Sequence, residues 1–144
     1  MAMEMAFGVG FLTVLSAAIA SWVFGGIYYG ALGKYWIVAA ELNRGKMEST
    51  KGFSKAQPFV IGFASEFIMA YVFSALLFHT SDGAFSIGAA VAAAVYLWIG
   101  FVATSIATNN AFGMRKFSLS VIDGVHWLGV LVVQALVISL LAIG

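Results

Sequence analysis

Three ionisable side chains lie inside stretches that are otherwise apolar, and they set the chemical question. Glu66 is the one ionisable residue in the run Phe59 to Phe78, FVIGFASEFIMAYVFSALLF, while Asp123 and His126 share a second apolar run at i, i+3. An acid in such a run is costly, and chains that keep one give it a partner or a task. A carboxyl group and an imidazole at the same depth can exchange a proton, because histidine changes charge near neutral pH. With hydroxyls from Ser21 and Thr104, the same groups could bind an ion or a small polar solute. The competing reading is a satisfied hydrogen-bond cluster that only fixes helix register. Asp123, His126 and Glu66 could also be read as metal ligands. Two ligands at helical spacing arise readily by chance, however, and no second histidine lies near, so neither a metal nor a cofactor is expected. The chain has no cysteine, which excludes disulfides, thiol nucleophiles and thiolate metal sites. No nucleophile paired with a base is visible, so an enzyme is not the expected class.

The elements that must carry these groups follow from composition. Of the 144 residues, 62% are hydrophobic and 9% charged. A soluble domain has roughly 25% charged residues, so this chain cannot clothe a water-facing surface and lipid is its solvent. The formal net charge of +1 gives no reason to expect a nucleic-acid partner. Four apolar segments are each long enough to cross a bilayer: about 5–32, 57–79, 85–111 and 117–143. The fold class expected is all-α integral membrane, a single domain forming a four-transmembrane-helix up-down bundle. The first segment is not expected to be a cleaved signal: Ala18-Ile19-Ala20 mimics a cleavage site, but MAMEMAFG carries Glu4 and no basic residue.

The long polar connection, about 33–56, reads as a surface loop with a short interfacial helix over Tyr35 to Leu42. Tyr28, Tyr29, Tyr35 and Trp36 form an aromatic belt around Lys34. Pro58 suits the first turn of the second segment, and Thr80-Ser81-Asp82-Gly83 reads as a tight turn. At ~1.5 Å per residue from the basic helix ends, Glu66 and His126 both lie ~14 Å deep, Asp123 ~9 Å and Thr104 ~10 to 12 Å, with Ser21 slightly further in. Ser120, Asp123, His126 and Gln134 share one arc of the last segment. Small residues mark the faces for helix packing: Thr13, Ala17 and Ala20, the Gly26-Gly30 pair, and Ala89 with Ala93. A thin bundle with such faces is expected to self-associate as a homo-oligomer.

Three stretches, SWVFGGIYYGALGKYWI, GFASEFIMAYVFSALL and LWIGFVATSIATNNAFGMRKFSLSVIDGVHWLG, together resemble the bacterial membrane family called domain of unknown function 1761. The pattern is a Trp and Tyr-Gly ending helix one, an Ala-Tyr in helix two, a Trp-x-Gly-Phe in helix three, then Asn, a basic turn and Ile-Asp. It covers nearly the whole chain. The resemblance implies a four-helix protein of the bacterial inner membrane and supplies no activity, substrate or site; Glu66 and His126 are not positions of that pattern. The leading functional expectation is therefore ion, proton or small-solute permeation through a polar site in the cytoplasmic half. The alternative is a non-catalytic structural or assembly subunit of a membrane complex.

All seven Lys and Arg fall in the first and third connections. Basic connections stay cytoplasmic, so both termini are expected outside. Single cysteines at Ser49 and Gly83, probed with an impermeant thiol reagent on intact cells, should label at Gly83 and not at Ser49. The reverse pattern would overturn the orientation.

Overall fold

The structure, a computed structural model, describes residues 9–82 and 86–143. Those residues form helices joined by short turns: α1 (Phe11–Ala39), α2 (Arg44–Ser49), α3 (Phe53–Thr80), α4 (Ile87–Leu97), a π-helical turn (Trp98–Ala103), α5 (Thr104–Phe112) and α6 (Phe117–Ile143). Four helical stretches are long and apolar enough to cross a membrane: α1, α3, the combined α4 to α5 rod, and α6. In lipid the backbone must satisfy its own hydrogen bonds, which makes helices the economical answer to these apolar runs. The four-helix expectation and its order along the chain therefore hold.

The boundaries differ in instructive ways. Helix α1 runs unbroken through Gly33 and Lys34 to Ala39, so the interfacial helix expected over Tyr35 to Leu42 is instead the last part of the first span. The four glycines of α1 do not break a helix that neighbouring helices hold, and Lys34 can reach outward along its own stem. Met5 to Gly8 of the expected first segment lie outside the described residues. In the connection, Asn43 caps the six-residue α2 by accepting from the Lys46 amide at 3.1 Å. Helix α3 starts at Phe53, so Pro58 sits inside the helix rather than in its first turn. Its missing N–H leaves the Ser54 carbonyl, in the first turn, without its usual helical donor.

Helix α6 is the axis. It packs along α1 on one side and along α4, the π-helical turn and α5 on another, while α3 packs chiefly on α1. The core between these helices is built from Val14, Ala17, Ala18, Ala70, Phe73, Leu77, Ala90, Ala94, Leu131, Ala135 and Ile138. Small residues on α1 and α4 let α6 come close. They are not all the expected ones. Ala17 is fully buried inside its own chain, Thr13 and Ala20 are half-buried, and Ala90 and Ala94 take the buried positions beside Ala89 and Ala93. Gly26 and Gly30 face outward with open space beside them, so the GxxxG pair packs against none of the described residues. The close contacts fall on two other glycines. A Cβ on Gly129 of α6 would overlap the Phe24 ring, and a Cβ on Gly25 of α1 would meet His126 Nε2 at 2.8 Å. Each helix thus supplies a glycine under the ring of the other.

The two helix ends beside the basic connections close alike. Leu42 N–H reaches Ile37 O and Glu41 N–H reaches Val38 O; Arg115 N–H reaches Asn110 O and Met114 N–H reaches Ala111 O. These are Schellman turns, with the left-handed position held by Glu41 at φ 56° and Met114 at φ 52° rather than by glycine. Lys116 joins the two ends, with its Nζ 3.5 Å from Glu41 Oε1 and 3.5 Å from the Val38 carbonyl. Both basic connections therefore lie at one end of the bundle.

Gly129→Ala should destabilise the fold by about 1–3 kcal/mol, the usual cost of overpacking. Gly26→Ala should be nearly neutral, because nothing lies near that position. Unfolding in mixed micelles, followed by tryptophan fluorescence, checks both; equal effects would contradict the packing described here.

Candidate functional site

The polar interior is assembled by α1, α3 and α6. Helix α3 carries Glu66 to a point opposite Ser21 on α1, where the Ser21 hydroxyl donates to Glu66 Oε2 at 2.6 Å. From α6, Gln134 Nε2 donates to Ser21 Oγ at 3.1 Å and to the Glu66 backbone carbonyl at 3.0 Å. Glu66, Ser21 and Gln134 are all buried. One amide of α6 thus ties α1 to α3 through their polar groups, and the Ser21 hydroxyl holds the carboxyl group in place.

His126 lies next along α6 toward the basic end. It is 6% exposed and surrounded by rings: Phe24 is stacked on it at 6.2 Å, Tyr28 and Tyr29 lie at 5.6 and 4.7 Å, and Trp127 meets it edge-on at 4.9 Å. Its Nε2 faces Gly25. The position a Cβ would take there lies 2.8 Å from His126 Nε2 and 3.8 Å from Glu66 Oε1. The imidazole and the carboxyl group therefore both approach the same glycine, and they make no hydrogen bond or ion pair with each other. His126 Nδ1 and Gln134 Oε1 are buried without a hydrogen-bond partner.

Asp123 belongs to a different cluster. Its Oδ1 accepts from the Tyr29 hydroxyl at 2.6 Å and from Trp36 Nε1 at 3.1 Å, both on α1. On either side of it the backbone is held as well: Tyr28 donates to the Ile122 carbonyl at 2.8 Å and Trp98 Nε1 to the Gly124 carbonyl at 2.7 Å. Four aromatic donors from two spans thus converge on three consecutive residues of α6. Tyr29 links the clusters, since its ring packs on His126 while its hydroxyl bonds Asp123. Among the described residues no three His, Asp or Glu side chains converge in a way that could hold a metal.

Of the residues expected at the site, the structure unites Ser21 with Glu66, sets His126 beside Gly25 near Glu66, and places Asp123 one step beyond through Tyr29. Thr104 is elsewhere: it is exposed and its hydroxyl bonds the Gly100 carbonyl of its own rod at 2.9 Å. Its depth suits the site, but its direction does not. Gln134, Gly25, Tyr29 and Trp36 complete the arrangement. Gln134 stands out as an amide in an apolar run, on the same arc as His126. Tyr29 and Trp36 read only as an interfacial belt, because nothing in their spacing reveals the carboxylate they face.

The family described as Protein of unknown function (DUF1761) matches residues 12–139. Neither a curated protein nor a solved structure matches the chain.

If the Tyr29–Asp123 bond fastens α1 to α6, Tyr29→Phe and Asp123→Asn should each cost about 1–3 kcal/mol. The double variant should cost less than the two together by roughly 0.5–3 kcal/mol. Unfolding of the four proteins in one detergent measures the coupling, and strict additivity would show that the bond carries none.

Proposed function

The chain belongs to the DUF1761 family, and from the geometry of its interior we propose that it passes protons through the part of the bilayer nearer its basic end. The observation that carries this reading is that an imidazole nitrogen and a carboxyl oxygen approach the same face of Gly25 without bonding to each other. A water molecule bridging the two groups would hydrogen-bond to both. A proton leaving His126 Nε2 passes to that water as the water gives one to Glu66 Oε1; the imidazole is then free to take up another proton. Asp123, hydrogen-bonded to Tyr29 beside His126, supplies an acidic group on the side of the basic end. Ser21 holds the carboxyl group, and Gln134 holds Ser21 and the Glu66 backbone. Because these side chains are packed to near-zero exposure, the arrangement suits a proton better than a bulkier solute. The reading also places both termini outside and the basic end in the cytoplasm of a bacterial cell, by the segregation of basic residues.

A second reading is favoured by the third span. Only 11% of its most apolar window is buried, which leaves most of its surface for lipid, a second copy or another membrane protein. A non-catalytic subunit of a membrane complex would have such a face.

The experiment is reconstitution into liposomes loaded with a pH-sensitive dye, with a potassium diffusion potential as the driving force. Wild type should change the luminal pH faster than empty liposomes. Glu66→Gln and His126→Gln should each slow the change about tenfold or more, as expected for loss of a group that transfers the proton. A wild-type rate equal to that of empty liposomes, or a folded Glu66→Gln variant with undiminished flux, would overturn the proton reading. In that event a partner that co-purifies stoichiometrically would support the second.

A further inference from the structure

Beyond the buried polar groups, the basic end of the bundle holds a feature of its own. A cavity of about 350 Å³ opens between the end of α1 and the short helix α2, lined by Gly33, Lys34, Ile37, Arg44, Met47 and Glu48. Lys34 lies within the first membrane span, five residues before its end at Ala39, or ~7.5 Å along the helix. It is therefore set where a span leaves the hydrocarbon region. Its Nζ lies over its neighbour Tyr35, 5.0 Å from the ring centre. Among the described residues neither Lys34 nor Arg44 forms an ion pair; the nearby acid that does so is Glu41, which is bound to Lys116. Two cations without an ion-pair partner among the described residues thus share a cavity with Glu48 and the apolar side chains of Ile37 and Met47.

We propose that this cavity binds the headgroup of an anionic phospholipid. The phosphate would sit between Lys34 and Arg44, the start of an acyl chain would lie along Ile37 and Met47, and Glu48 would accept a hydrogen bond from a headgroup hydroxyl. Both halves of the lining are needed. A free phosphate would use the cations and leave the apolar wall unfilled, whereas a zwitterionic choline lipid would bring, beside its phosphate, a quaternary ammonium that Lys34 and Arg44 repel. Basic groups at the end of a span are favoured by anionic lipid by an amount that accumulates with each Lys or Arg. Gly33, at the cavity edge, keeps the wall beside Lys34 low.

The test uses the full chain in a neutral detergent, titrated with phosphatidylglycerol or phosphatidylcholine and read by native mass spectrometry of the retained lipid. Wild type should hold one phosphatidylglycerol in preference to phosphatidylcholine. The double variant Lys34→Gln, Arg44→Gln should bind it roughly ten- to thirty-fold more weakly. Lys51→Gln with Lys55→Gln, an equal loss of charge in the same connection but outside the cavity, should keep wild-type binding. Circular dichroism establishes that each variant is folded; if the double variant is not, Lys34→Arg and Arg44→Lys, which keep the charges, should each retain the phosphatidylglycerol preference. No preference between the two lipids in wild type would overturn the proposal. So would an equal loss in the Lys51, Lys55 variant, or displacement of the lipid by millimolar inorganic phosphate.

Discussion

Helices α1 and α6 lie against one another because a glycine on each receives a ring from the other. Phe24 fills the space over Gly129, His126 fills the space over Gly25, and the two rings stack. Lipid tails are as apolar as the side chains they would replace, so the bundle is not driven together by exclusion of water. Close packing and hydrogen bonds between helices must supply the association. The reciprocal fit supplies the packing, and it also puts the remaining polar groups of α1 and α6 within bonding reach of each other. Moving the helices apart by the width of a methyl group would separate Ser21 from Gln134 and Tyr29 from Asp123 together.

The hydrogen bonds that follow are unevenly distributed. Near the basic end, aromatic hydroxyl and indole groups grip α6 over three residues, Ile122 to Gly124. Deeper in, one serine, one glutamine and one glutamate share a compact set of bonds. Between the two clusters lies a histidine enclosed by rings, with a nitrogen that has no partner. An interior with every polar group satisfied would serve register alone. This one leaves bonds unmade at His126 Nδ1 and Gln134 Oε1.

Much of this order could be read in the residues. Apolar run lengths marked the four spans, and depth counting put Glu66, Ser21 and His126 near one level. Counting along a helix reports depth and face, but not which neighbour a face meets. That is why Thr104, at a suitable depth, turned out to look away from α6. It is also why Gly26 and Gly30, which match a known spacing, face open space while Gly25 and Gly129, which match none, make the contact. Chain breaks were hard for a related reason. Gly33 and Lys34 look like an exit from the membrane, yet Trp36 reaches Asp123, 87 residues away in sequence, and keeps that part of α1 in the bundle. A contact made across such a distance in sequence has no local signature.

The π-helical turn at Trp98–Ala103 has a consequence for how this chain can change length. Such a turn accommodates an additional residue within an α-helix. Here it lies between two attachments of the same rod to α6: the Trp98 indole on the Gly124 carbonyl, at its start, and Asn110 Nδ2 on Ser120 Oγ at 3.0 Å, beyond its end. Removing a single residue inside the turn would restore ordinary winding and rotate everything after it by about 100° relative to everything before. One attachment could then be kept only by surrendering the other. The turn acts as a vernier between two fixed marks, so this span tolerates neither an insertion nor a deletion in its middle, although most of its surface touches nothing else in the chain.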